Sequence, residues 1–251
     1  MRLILEVWRQ AGPDAKGFFE THEVVDAYPS MTILELLDRL NAQLVENDQE
    51  PVAFESDCRE GICGTCGIDV NGTPHGPLNN ETTCEQTLRP FNDGDRIRIE
   101  PFRSAAFPVI RDLIVDRTAL DRVIQAGGTI AVDAGTAPDA DSVQVTHMDA
   151  EKALDYAACI GCGACVSACP NGAAYLFTGA KLQHLALIPS GKMERSKRAR
   201  AMVNQMEHEF GPCSQIGECA LACPAEVPLA AIAVVNRERL RAMFRGTTKT
   251  N

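Results

Sequence analysis

No stretch of this 251-residue chain approaches the roughly 18 uninterrupted apolar residues that a membrane-spanning helix needs, so nothing in it is expected to cross a bilayer alone. Positive charge is in short supply. Lys and Arg number 24 against 34 Asp and Glu, and the net charge of -10 argues against a general phosphate-backbone binder held by counterion release, so no nucleic-acid partner is expected. The opening Met1-Arg2-Leu3-Ile4-Leu5-Glu6 reaches an acid before any long apolar run and is not Arg-rich, which predicts neither an export signal nor a transit peptide and a cytosolic setting. There is no G-x-x-x-x-G-K-S/T loop, no G-x-S-x-G elbow and no G-x-G-x-x-G turn. Phosphoryl transfer, acyl transfer and dinucleotide binding therefore lack their parts. The five histidines (His22, His75, His147, His184 and His208) are scattered, and none forms a Cys-x-His pair, against a Rieske-type centre. Packing or surface roles are expected for them. The single tryptophan, Trp8, lies in a strand-like run where it is expected to pack.

What is present is an ordinary 45% of hydrophobic residues over a length that favours two compact units. Charge divides them: residues 1 to 150 carry 12 basic and 26 acidic side chains, residues 151 to 251 carry 12 and 8. The first half predicts strands at Arg2 to Arg9 and Gly17 to Val25, closing a hairpin through Ala11-Gly12-Pro13-Asp14. Thr32-Ile33-Leu34-Glu35 reads as a capping box, and Ile33, Leu36, Leu37, Leu40 and Leu44 recur at helical spacing. Further strands are expected at Gly67 to Val70 and Arg96 to Glu100. From Phe107 to Gly127 the pattern reads as helix, and 128 to 147 as an exposed loop. Beyond Asp149 only helices are expected, including Ala180 to Ile188, Arg195 to Phe210 and Leu229 to Phe244.

Cysteine carries the information. Eleven thiols, an odd number, without an export signal make disulfides a poor reading. Cys58, Cys63 and Cys66 with the distant Cys84 have the C-x4-C-x2-C spacing of a plant-type [2Fe-2S] centre, with Gly61, Gly64 and Gly67 permitting backbone to approach the sulfurs. A zinc site would instead show two short cysteine pairs. Cys159, Cys162, Cys165 and Cys169-Pro170 form the C-x2-C-x2-C-x3-C-P run of bacterial ferredoxins, whose fourth cysteine serves the other cluster. Cys213, Cys219 and Cys223-Pro224 repeat it with Ile216 where a cysteine should stand. Exchanging the fourth cysteines gives Cys159, Cys162, Cys165 and Cys223 to a [4Fe-4S] centre, and leaves Cys169, Cys213 and Cys219 for a second. Three thiolates suit [3Fe-4S]. A four-iron cluster with an open corner, as a dehydratase needs, is the alternative, and the apolar Ile216 disfavours it. Every thiol is then used.

With these motifs, and with Cys58-Arg59-Glu60-Gly61-Ile62-Cys63-Gly64, Ile99-Glu100-Pro101 and the segment Phe107-Pro108-Val109-Ile110-Arg111-Asp112-Leu113-Ile114-Val115-Asp116-Arg117, the chain resembles the iron-sulfur subunit of succinate dehydrogenase and fumarate reductase, the respiratory complex II family. Bacterial, actinobacterial-like members look nearest. The resemblance implies an α+β fold: an N-terminal β-grasp plant-type ferredoxin domain over 1 to 103, a connector and loop over 104 to 148, and an all-α helical ferredoxin domain over 149 to 251. It implies a flavoprotein partner carrying FAD, membrane anchor subunits, a quinone, and a peripheral place on the cytoplasmic face of the membrane. Electrons would pass from succinate through [2Fe-2S], [4Fe-4S] and [3Fe-4S], with succinate chemistry in the flavoprotein and no catalytic residue in this chain. Fumarate reduction, service to another flavin dehydrogenase, and a zinc-stapled module with no redox role are the competing readings. Ubiquinone-linked members carry a Trp and a His where this chain has Ala174 and Ser214, which points to menaquinone or to a differently built anchor.

Two basic runs raise a separate question. Lys192, Arg195, Lys197, Arg198 and Arg200 could face anionic headgroups or form a solvated helix face. Arg237, Arg239, Arg241, Arg245 and Lys249 pose the same choice, with pairing to a flavoprotein as a third.

Overall fold

The computed structural model describes residues 1–130, 145–188 and 192–244. Most of the loop expected at 128 to 147, together with Arg245 and Lys249, lies outside the described residues.

The first strand, β1 (Leu3–Arg9), alternates buried and half-buried residues along its length, the period-2 signature of a sheet with one covered face. It pairs antiparallel with β2 (Phe18–Val24), from Leu3 opposite Val24 to Arg9 opposite Phe18. The helix α1 (Ile33–Glu46) begins at the expected capping box: the Thr32 hydroxyl accepts from the Glu35 amide at 3.2 Å, and the Glu35 carboxylate accepts from the Thr32 amide at 2.7 Å. β3 (Ile68–Val70), β4 (Thr73–Pro74) and β5 (Arg96–Pro101) complete a sheet of order β2-β1-β5-β3-β4. β5 lies parallel to β1, with Leu5 opposite Ile97 and Val7 opposite Ile99. Leu3, Leu5, Val7, Ile97 and Ile99 meet Ile33, Leu36, Leu37 and Leu40 of α1 in one core. At about 1.5–3 kcal/mol for each buried aliphatic side chain, that seam is the main support of the N-terminal half. Trp8 packs edge-on against Phe19, with ring centroids 5.0 Å apart.

The expected helix from Phe107 does not begin there. Val109–Arg111 (β6) and Ile114–Val115 (β7) form a small antiparallel hairpin, and α2 (Thr118–Gly127) starts only afterwards. Asp112 decides this. Its backbone is left-handed (φ 45°), and its buried carboxylate accepts from the amides of Gln10 and Ala53, both at 2.9 Å, tying the turn to β1. Long-range hydrogen bonds outweigh the local pattern.

The C-terminal half is helical: α3 (His147–Ala157), α4 (Ala164–Ser167), α5 (Tyr175–Leu187), α6 (Lys192–Glu209), α7 (Glu218–Leu221) and α8 (Ala231–Phe244). α5 starts five residues before the expected Ala180. From Leu176 to Ala180 every residue is buried, so the helix shows no amphipathic stripe to mark its start. At Gly179 it meets α8 backbone to backbone: a Cβ there would lie 2.0 Å from the Ala231 carbonyl oxygen. Phe102 and Phe107 from the end of the first half pack with Val123, Met202, Met206 and Phe210 in the helical core. Among the described residues, no helix is long and apolar enough to cross a membrane.

Candidate metal centres

All eleven cysteines are free thiols. In the loop between α1 and β3, Arg59, Gly61 and Gly64 take left-handed backbone at φ 55°, 73° and 72°. That winding turns the amides of Glu60 and Cys63 onto the Cys58 sulfur, both at 3.4 Å. The loop is pinned to α1 by Arg59, whose guanidinium donates to both carboxylate oxygens of Asp38 at 2.7 and 3.2 Å. Gly61 is held by space as well: a Cβ would stand 2.4 Å from the Glu85 carboxylate. Two residues past the remote Cys84, the Gln86 side chain donates to the carbonyls of Leu78 and Glu81 at 2.6 and 3.2 Å and so closes the loop that carries it.

Two threonines complete this site. Thr65 Oγ1 lies 3.0 Å from the Cys63 sulfur, and Thr82 Oγ1 lies 3.0 Å from that of Cys84. Burial pushes the Cys63 thiol up, but the Thr65 hydroxyl and amide and the neighbouring Cys58 outweigh it and bring it down to about 7. Burial pushes the Cys66 thiol up to about 12, with the Cys84 charge adding to the rise. The threonines were not singled out from sequence, where their only signal is position two residues from a cysteine.

The second and third motifs build one local shape twice. Gly161 and Gln215 are left-handed (φ 69° and 58°), Gly163 and Gly217 likewise (φ 90° and 99°), and each pair leads into a four-residue helix, α4 or α7. Cys159, Cys162 and Cys165 match Cys213, Ile216 and Cys219 position for position. Each motif walls a cavity of much the same size. Size does not separate them; lining does. One is walled by Cys159, Cys162, Cys165 and Cys223, the other by Cys169, Cys213, Cys219 and Ile216. Cys223 thus lines the cavity of the second motif, and Cys169 that of the third.

These walls suit a multi-iron cluster. Burial raises the thiols of Cys159, Cys162 (to about 12) and Cys165, and the charges of their neighbours raise them further. Gathering these thiolates in one cavity is costly unless a strongly cationic group binds there. Among the described residues, no three His, Cys, Asp or Glu side chains gather around one point as ligands of a single ion. Backbone amides again face sulfur: Gln215 donates to Cys213 at 3.3 Å and Val227 to Cys223 at 3.4 Å.

The three thiol groups lie in series. Cys63 and Cys159 line one cleft, with Arg117 and Lys181 beside them. At Gly64 the first loop touches the second, since a Cβ there would sit 2.7 Å from the Ile160 carbonyl oxygen. Leu176 at the start of α5 is a wall common to the two cavities. Ile62 beside the first group, and Ile216 and Leu221 beside the last, are exposed.

Lys197 is exposed, but the described arginines of the two basic runs pair within the chain. Arg195 donates to both oxygens of the buried Glu238 carboxylate at 2.6 Å, joined there by Arg241 at 3.1 Å and Arg237 at 3.4 Å. Arg198 is buried, bonded to the Gly127 and Thr129 carbonyls and paired with Glu194 at 2.6 Å. Arg200 donates to the Ala242 carbonyl at 2.7 Å, and Arg239 pairs with Glu207. These arginines tie helices together. Of the histidines, His75 is buried against Phe102, accepts from the Thr83 amide at 3.2 Å, and is lowered to about 4 by burial and by the Arg117 charge.

A sheet domain with one thiol loop and a helical domain with two thiol-lined cavities define an iron-sulfur electron carrier of the double-ferredoxin class. Residues 4–122 match the model of the 2Fe-2S iron-sulfur cluster binding domain, and residues 158–227 that of the 4Fe-4S dicluster domain. The chain is 28% identical over 249 residues to the succinate dehydrogenase iron-sulfur subunit of Bacillus subtilis, covering 95% of this chain and 93% of that protein. It is 30% identical over 220 residues to the fumarate reductase iron-sulfur subunit of Escherichia coli, covering 84% and 83%. A solved structure of the Mycobacterium smegmatis Sdh1 complex in the apo form shares the fold, with a TM-score of 0.72, 19% identity, and coverage of 100% of this chain and 99% of that one. The chain belongs to the family of succinate dehydrogenase and fumarate reductase iron-sulfur subunits. Its function is electron transfer.

Proposed function

We propose that this chain carries electrons from a FAD-containing flavoprotein that oxidises succinate to a quinone, menaquinone, at a membrane anchor. The carrying observation is the serial contact of the three thiol groups: the Cys58 loop against the Cys159 loop at Gly64, then two cavities with Leu176 between them. Cys58, Cys63, Cys66 and Cys84 would hold [2Fe-2S]; Cys159, Cys162, Cys165 and Cys223 [4Fe-4S]; Cys169, Cys213 and Cys219 [3Fe-4S]. Such clusters, when bound, accept and release one electron at a time. The protein's part is to exclude water, fix the sulfurs, and aim amides at them, which favours the more negative, reduced state. The exposed Ile62 fits the flavoprotein end, and Ile216 with Leu221 the anchor end, at the cytoplasmic face of the membrane. Menaquinone is supported by Ala174, which is fully buried at the start of α5, and by Ser214, whose hydroxyl accepts from Nδ2 of the Asn171 side chain at 2.6 Å. Neither offers the indole or imidazole of ubiquinone-linked members.

Anaerobic purification with native partners, followed by iron analysis and EPR, tests this. About nine irons per chain are expected, with a three-iron signal on oxidation and two- and four-iron signals on reduction. Assay of the flavoprotein partner with succinate and with fumarate then tests direction. Zinc in place of iron, or a partner inactive on both acids, overturns the reading.

A further inference from the structure

We propose that Arg117 is a positioning residue of the electron path: it clamps the Cys58–Cys66 loop to the Cys159–Cys165 loop and fixes one positive charge between them. The inference rests on the cluster assignment above. The guanidinium donates through Nη1 to the carbonyls of Gly64 and, at 2.9 Å, Cys162, and through Nη2 to that of Thr65 at 3.3 Å. Glu55 lies 3.4 Å from Nη2. One nitrogen thus serves an oxygen from each loop. Without it, the Gly64 and Cys162 oxygens would face each other with like partial charge and no donor between them, and the loops would part.

The rest of the junction is built to bring the loops this close. Gly64 has no side chain to hold off Ile160 and Cys162, and a Cβ on Gly163 would meet Phe107 at 3.0 Å and the Arg117 stem at 3.6 Å. Arg117 is itself fixed where β7 passes into α2, as Asp116 donates its amide to the Pro108 carbonyl and accepts from the Thr118 amide, both at 2.8 Å. The side chain is 18% exposed, so its charge is weakly screened. A planar fork can bridge two loops in this way; an ammonium on a flexible stem supplies the charge without the fork. A cation beside a centre that becomes more negative on reduction favours the reduced state, which Glu55 partly offsets.

The test uses the complex purified with its native partners, in wild-type, Arg117→Gln, Arg117→Lys and Glu55→Gln forms, with EPR-monitored redox titration of all three centres. Arg117→Gln is expected to lower the potentials of the two-iron and four-iron centres and weaken the magnetic interaction between them when both are reduced. Arg117→Lys should hold the potentials near wild type while the interaction still weakens. Glu55→Gln should raise the potentials without disturbing the interaction. The three-iron centre should stay put throughout. Unchanged potentials and interaction in Arg117→Gln, or an equal shift of all three centres, overturns the proposal. Should Arg117→Gln fail to assemble, the Lys and Glu55 variants still decide it by the same two readouts. A wild type without either of the first two centres overturns the cluster assignment, and this inference with it.

Discussion

Ile216 occupies in the third motif the place that Cys162 holds in the second, on backbone of the same left-handed winding. Ile216→Cys therefore introduces a thiol where a fourth ligand would come from, and is expected to convert a three-iron centre to a four-iron one. Loss of the oxidised three-iron EPR signal, with iron rising toward ten per chain, checks this. Gly64 is constrained twice, by φ 72° and by the Ile160 carbonyl. Gly64→Ala should lose about 1–2 kcal/mol from the left-handed backbone alone, with a further loss as the loops are pushed apart. Chemical denaturation of the assembled chain measures it. The glycine was legible in the sequence as a residue that lets backbone approach sulfur. What it approaches, the loop around Ile160 nearly a hundred residues on, was not, because no local pattern encodes a contact at that separation.

At the scale of elements, Glu238 on α8 holds the helical half together. It is 2% exposed and receives Arg195 from α6 along with Arg237 and Arg241 of its own helix. Burial would raise its carboxyl, but the Arg195 hydrogen bonds and the three guanidinium charges outweigh this and hold it below the usual glutamate range. Glu238→Gln should cost about 2–3 kcal/mol, less than the ~3–5 of a fully enclosed pair because the arginines keep contact with water. As the folded value is depressed, the contribution is complete above the ordinary 4.5 and lost as pH falls through the folded value. The stability gap between wild type and variant should close in acid, which denaturation at a series of pH values will show. From sequence these arginines read as a solvated face or as a surface for headgroups or partner subunits. Their helical spacing was legible, but the acid they meet on another helix was not.

For the whole molecule, the junction of the two halves is polar as well as apolar. Asp69 on β3, directly opposite Glu100 on β5, accepts from the Ser167 hydroxyl of α4 at 3.2 Å. Asn80 donates to Glu226 at 2.7 Å across the same divide. Burial raises Asp69 from 3.8 to about 7; the Ser167 bond opposes the rise and the Glu100 charge adds to it. A raised carboxyl in the folded state means that stability is lost as pH rises from about 4 through 7. Asp69→Asn should remove that slope, so the variant gains on wild type across this range, and parallel denaturation curves would refute the assignment. With Phe102 and Phe107 packed among the helices, the two halves share a core, and unfolding of the assembled chain is expected as one transition by calorimetry.

Local spacing and periodicity alone carry the cysteine motifs, the isoleucine at 216 in a cysteine's place, and an α+β order of sheet then helices. The hairpin at Val109–Arg111 and Ile114–Val115, the early start of α5 and the pairing of the basic runs were decided only by tertiary structure. There, Asp112 reaching Gln10, Leu176 to Ala180 buried on all sides, and Glu238 meeting Arg195 join residues far apart in the chain. The same holds for the place of Arg117: a single arginine carries no motif, and its meaning comes from the two loops that folding brings to it.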